Sequence, residues 1–204
     1  MLFRSEQSMR IIAGLAKGRN LLSPSGRTRP TSDRAREALF STLESEFGSL
    51  SDLYFLDLYS GSGAIAAEAL SRGAAVVHAV DNHESATAIA RQNLEMVSGV
   101  PGAGSGSVFT MSVGKYLDSQ SNRMIAGVKF DIVFLDPPYE LTNSEVEKVL
   151  RELLNQNLLK ESSIIALERE SKGKAFVFPE GFEMLKERKY GVATIYYAAL
   201  TSKS

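Results

Sequence analysis

The stretch LYFLDLYSGSGAIA (residues 53–66) decides how the whole chain is read. Its first six residues are apolar except for Asp57, a short run without helical period, as in a strand buried on both faces. The glycine-rich turn Ser60-Gly61-Ser62-Gly63 follows, and a helix opens at Ala64 and runs to about Arg72. Working outward, the alternation continues. AAVVHAV (74–80) reads as a second strand closed by Asp81, and Glu84 to Val97 has Ala86, Ile89, Ala90, Leu94 and Val97 at helical spacing. SGVPGAGSGS (98–107) reads as a flexible connection, 108–111 and 130–136 as strands, Glu145 to Asn155 as a helix, and 163–168 as a strand. FEMLKERKYGVATIYYAAL (182–200) reads as two strands turning at Gly191. Parallel strands require crossovers, so this order predicts an α/β fold: a mostly parallel sheet, helices on both faces, and a terminal antiparallel pair. Such sheets bind ligands at the carboxyl ends of their strands.

Before residue 53 the chain is different. MRIIAGLAKGRNLL (9–22) predicts a small hairpin, and SPSGRTRPTSD (23–33) an extended loop. Ser32 or Asp33 then caps a helix from Arg34 to Phe47, ended by Gly48. Residues 1–36 carry a net charge of +6 and the remainder −7. A basic arm on an acidic body suits a grip on a polyanion. The expected division is therefore an extension over 1–31 and a catalytic domain over 32–204. The chain of 204 residues is 44% hydrophobic, enough for one sizeable core. It has no cysteine, which excludes disulfides and thiolate metal sites and suits a reducing compartment. No apolar run approaches the ~20 residues of a membrane span. The expectation is a soluble, cytoplasmic protein.

Gly61, Gly63 and Ala66 satisfy the G-x-G-x-x-G/A pattern of dinucleotide sites, and Asp81 is placed for ribose hydroxyls in either of two cofactor readings. Asp57 separates them. Its carboxylate, just before the glycines, would repel a pyrophosphate but attract the ammonium group of S-adenosylmethionine. The second motif, Asp136-Pro137-Pro138-Tyr139, directly follows the strand FDIVFL. Two prolines stiffen the chain and remove two donors, leaving carbonyls as acceptors. Asp136 and the Pro137 carbonyl suit the two N–H groups of an exocyclic base amine, and Tyr139 suits stacking on the base. An acceptor base would have to leave its stack, and transfer would be an in-line displacement governed by positioning.

With both motifs in place, the chain resembles the RsmD family of small-subunit ribosomal RNA guanine-N2 methyltransferases over nearly its full length. Further matching segments are Arg10 to Gly14, Lys17-Gly18-Arg19, TRPTSDRAREALF (28–40), EALSRGA (68–74) and Asn93-Leu94. The resemblance implies a Rossmann-like class I fold with seven strands. It implies S-adenosylmethionine held by Asp57, Tyr59, Ser60, Gly61, Gly63 and Asp81, with Ser112 at the adenine amine. Asp136, Pro137, Pro138 and Tyr139 would face the guanine amine. Arg10, Lys17, Arg19, Arg27 and Arg29 would hold RNA within an assembled or assembling small subunit. A monomer without metal or membrane association is expected. The family commonly has an acid where Ser112 stands here, and an aspartate where Val192 stands.

Arg29, Arg34 and Arg36 are further candidates for phosphate or for the carboxylate of the cofactor. His78 and His83 have no third partner for zinc and read as structural, and Phe176 and Phe178 as packing. Glu168 ends a strand at the ligand edge and is a further candidate. Three other readings compete. One is methylation of adenine N6, cytosine N4 or protein glutamine; the second, an RNA-binding assembly factor without catalysis; the third, a nicotinamide dehydrogenase.

Overall fold

A computed structural model describes residues 9–23, 33–121, 128–172 and 174–201. Arg27, Arg29, Ser32 and the start of the 28–40 segment lie outside the described residues. The elements are α1 (Asp33–Phe47), β1 (Tyr54–Leu58), α2 (Ala64–Ser71), β2 (Val76–Asp81), α3 (Glu84–Ser98), β3 (Ser105–Thr110), α4 (Val113–Ser121), β4 (Phe130–Leu135), α5 (Asn143–Asn155), β5 (Leu159–Glu170), β6 (Phe182–Tyr190) and β7 (Ala193–Leu200). They form a seven-stranded sheet in the order β3-β2-β1-β4-β5-β7-β6. Strand β7 runs antiparallel to both of its neighbours.

The strands are apolar on both faces because helices cover both. Phe55, Ala79, Phe134, Ala166 and Ile195 pack with α1, α2 and α3. Leu56, Leu58, Val133, Leu135 and Leu167 pack with α4 and α5 on the other side. His78 is a core histidine, its Nδ1 at 2.7 Å from the Tyr116 hydroxyl and its ring against Phe109 and Phe130.

Two expectations need correction. Strand β3 begins at Ser105, inside the stretch read as a flexible connection. The glycines in and just before it mark close packing: a Cβ at Gly106 would sit 2.7 Å from Leu94 of α3, and one at Gly104 would sit 2.2 Å from the Ala74 carbonyl oxygen. Helix α4 was not anticipated; Val113, Tyr116 and Leu117 bury its inner face.

The amino-terminal segment is a small antiparallel hairpin, bridged at Arg10 and Asn20. It is attached mainly through its backbone. Glu68 of α2 accepts the Ile12 and Ala13 N–H groups at 2.8 and 3.0 Å, and Ser71 accepts from Leu15 and Ala16. Gly14 has a φ of +83°, and a Cβ there would lie 1.9 Å from the Ser71 carbonyl oxygen, so only glycine fits. Asn93 of α3 holds the Leu22 N–H and carbonyl.

Arg36 completes this joint. Its side chain is fully buried, donates to the Arg10 carbonyl and to Asp33, and lies 3.9 Å from Glu68. Burial lowers its pKa, opposed by Glu68 and Asp33. It is turned into this joint and is not among the residues that line the cavity described below, while Arg34 is exposed. Arg72 bridges Glu68 and Glu44 at 2.9 and 2.8 Å. Replacing Glu68 strands two arginines and two backbone donors. Glu68→Ala should therefore cost about 3–5 kcal/mol in urea unfolding, far more than a surface carboxylate.

Candidate active site

Register and pleat assemble the site. Leu58 pairs with Val80 and Leu135, and Leu135 with Leu167. One position further along lie Asp81, Asp136 and Glu168, and Asp57 stands one position before Leu58. Side chains alternate along a strand, so all four acids point to the face opposite Leu58, the α1 face. Asp81, Asp136 and Glu168 line a cavity of about 360 Å³ with Tyr59, Pro137, Pro138 and Tyr139, and Ala35 of α1 borders it. This is within the ordinary range for small-molecule sites.

The glycine turn sits beside it. Tyr59 and Gly61 have φ of +64° and +52°, left-handed conformations that turn the chain sharply from β1 to α2. Space opens where a Cβ on Gly61 would project. Gly63 serves packing: its absent Cβ would lie 2.9 Å from the Ala90 Cβ. The Ser60 hydroxyl is buried without a hydrogen-bond partner among the described residues. Asp81 accepts from the Gly61 N–H at 2.9 Å through one oxygen, and from the backbone and ring of His83 through the other. Asp57 is buried and accepts from the Ala66 N–H at 3.1 Å. Burial pushes its pKa well up, with Asp136 and Asp81 adding to the effect. Ser112 is exposed ahead of α4, its hydroxyl oriented toward the Lys115 N–H, and does not line the cavity.

The Asp-Pro-Pro-Tyr turn is fixed from both ends. Before it, β4 carries Asp136 to the sheet edge. After it, Thr142 and Glu145 form a reciprocal capping box that starts α5, a signal present in the sequence as Thr-Asn-Ser-Glu. Arg169 of β5 fixes the middle, donating to the Leu141 carbonyl at 2.6 Å and toward the Pro138 carbonyl at 3.4 Å. Nothing in the sequence pattern marks Arg169. Burial raises the Asp136 pKa to about 6, with Arg169 opposing, and raises Glu168 to about 8, with Asp136 adding. Tyr59 is pushed up to about 12, again mainly by burial. Tyr190 and Val192 line the wall, so Val192 puts an apolar side chain at the cavity. Arg10, Lys17 and Arg19 are exposed on the arm, away from the cavity lining, and Arg19 donates to the Met96 carbonyl at the end of α3.

Among the described residues no group of three His, Asp or Glu is placed to hold a metal ion, and no helix is long and apolar enough to cross a membrane.

The strand order and the glycine turn at the carboxyl edge define a Rossmann-like class I methyltransferase fold. The solved structure of yhhF from Escherichia coli matches it with a TM-score of 0.79 at 28% identity, over 96% of this chain and 99% of that one. The ribosomal RNA methyltransferase aviRa from Streptomyces viridochromogenes shares the fold, with a TM-score of 0.67 at 19% identity, over 87% and 88% of the two chains. The family described as conserved hypothetical protein 95 matches residues 9–199. Ribosomal RNA small subunit methyltransferase D of Haemophilus influenzae is 33% identical over 188 residues, 91% of each chain. The Escherichia coli K12 protein of that name is 30% identical over 184 residues, 90% of this chain and 85% of its own. The chain belongs to this family, the RsmD family of the sequence comparison above.

The buried acids set a stability profile. Their folded-state pKa values lie above those of the unfolded chain, so the folded state binds protons more tightly. That contribution is complete below the ordinary carboxyl range and is lost as pH rises through about 6 for Asp136 and about 8 for Glu168. The ligand-free protein should thus melt higher near pH 6 than near pH 8.5, and Glu168→Gln should flatten the difference in a thermal scan.

Proposed function

We propose that the protein transfers a methyl group from S-adenosylmethionine to the exocyclic N2 amine of a guanine in small-subunit ribosomal RNA. The relatives' names carry ribosomal RNA methylation. The observation that supports an amine as acceptor is Asp136-Pro137-Pro138-Tyr139 held rigidly at the cavity beside the glycine turn. The site fits the donor. The unpartnered Ser60 hydroxyl and the open space at Gly61 offer contacts for a polar ligand. Asp57 offers a buried carboxyl whose ionised form an arriving ammonium group would stabilise, and Asp81 retains lone pairs for ribose hydroxyls beyond its internal bonds. When bound, S-adenosylmethionine supplies a methyl on a sulfonium that departs as a neutral thioether.

The residues of the chain do the positioning. Asp136 and the Pro137 carbonyl accept the two amine N–H groups, which turns the nitrogen lone pair toward the incoming methyl. Pro138 is unsuited to this role because its carbonyl already accepts from Leu141 and Arg169. Tyr139, 41% exposed, lies where it can stack on an extruded base. The amine sheds one proton after transfer, and Asp136, with its pKa near 6, can receive it near neutral pH. Arg10, Lys17 and Arg19 present positive charge to the RNA backbone, with Arg27 and Arg29 extending the same basic arm.

The test is to incubate the protein with radiolabelled S-adenosylmethionine and unmodified small subunits, naked ribosomal RNA or duplex DNA. RNA label that digests to N2-methylguanosine is the expected result, with Asp136→Ala reducing it by about 100-fold or more. Label confined to N6-methyladenosine or to DNA would overturn the choice of base. The rate should fall as pH drops below about 6, when Asp136 is protonated. Arg169→Ala should lower kcat by about 10- to 100-fold by loosening the turn, and should move that acid limb to higher pH.

A further inference from the structure

Glu168 stands on the cavity wall with no role in the chemistry above. It is 6% exposed, and its Oε2 is buried without a hydrogen-bond partner among the described residues. Its neighbour Arg169 points to the opposite sheet face and is engaged with the Pro138–Leu141 turn. A buried acceptor left unpaired destabilises the empty protein, so its retention at a cavity wall points to a ligand that brings a donor.

We propose that Glu168 is the base-reading residue: its carboxyl accepts the ring N1–H that stands beside the N2 amine of guanine. This rests on the guanine reading given above. The argument is one of hydrogen-bond polarity. The ring nitrogen on the Watson–Crick side of the guanine amine carries a hydrogen. Beside the amines of adenine and cytosine, the corresponding ring nitrogen is an acceptor. A carboxyl group next to the Asp136 position therefore finds a donor for its carbonyl oxygen only in guanine, since adenine and cytosine offer no ring N–H there. Sheet register supports the placement, because Asp136 and Glu168 occupy the same row on adjacent strands and face the same cavity. Burial also keeps Glu168 largely protonated near neutral pH in the empty cavity. In that state the second oxygen can donate to guanine O6 while the first still accepts N1–H. A carboxamide presents the same pair of groups, so glutamine is the conservative replacement.

Three variants test this on unmodified small subunits: Glu168→Gln, Glu168→Leu and Glu168→Ala. Calorimetric binding of S-adenosylhomocysteine reports the integrity of the donor site. The expected result is a loss of about 10- to 100-fold in kcat/KM for the Leu and Ala variants, with binding of S-adenosylhomocysteine kept within about twofold. The Gln variant should stay within about fivefold of the wild type. Wild-type turnover by the Leu or Ala variant would overturn the proposal. A Gln variant as impaired as Leu would also overturn it, because charge and not hydrogen-bond polarity would then matter. If the wild-type product is not N2-methylguanosine, the guanine reading itself fails, an outcome visible before any variant is measured.

Discussion

The site depends on the shared register of four parallel strands. Strands β2, β1 and β4 end at one level, where β5 runs on beside them to Glu170, and the two-residue pleat sends Asp81, Asp57, Asp136 and Glu168 to one face. A one-residue slip of any strand would turn its acid into the apolar layer under α4 and α5. The arrangement concentrates carboxyl groups where water is scarce, so burial raises Asp57, Asp136 and Glu168 alike and disfavours their charged forms. Arg169 offsets part of this from the other side of β5. The remainder is a demand for cationic and donor groups, and the sulfonium and ammonium of S-adenosylmethionine are groups of that kind. Binding and charge balance are thus one requirement.

A second constraint holds the arm to the body. Glu68 is buried among Arg36, Arg72 and two backbone N–H groups, and Arg36 reaches back to the Arg10 carbonyl. The joint ties the hairpin, α1 and α2 into one packed layer over the sheet. Because α1 starts at this joint and its Ala35 borders the cavity, the arm and the active site are mechanically continuous.

Much of this was legible in the sequence, for physical reasons that differ from part to part. The strands over 54–58 and 130–135 could be read because they are buried on both faces and so run unbroken in apolar residues. The terminal pair turning at Gly191 could be read from its glycine. Strand β3 was hidden, because its opening Ser-Gly-Ser accommodates α3 lying close above it and imitates a loop. In the site, Asp136 and Tyr139 announced themselves through their prolines. Arg169 did not, since its partners are carbonyls that leave no trace in composition. The segments Arg10 to Gly14, Glu68 to Ala74 and Asn93-Leu94 were recognisable as a family pattern, yet their meaning appeared only in three dimensions: they meet at the joint. The place of Arg36 in this joint was hidden for the same reason, since sequence alone does not show that its side chain is buried.

The way the hairpin is attached has one more consequence. Glu68, Ser71 and Asn93 grasp peptide groups of the arm, and its apolar anchors Met9, Ile11, Ala16 and Leu21 point inward. The outward positions, among them Arg10 and Lys17, carry little folding obligation. The arm is therefore tolerant of rewriting on its outer face: side chains there can change while the backbone contacts that fix the hairpin to α2 and α3 stay in place.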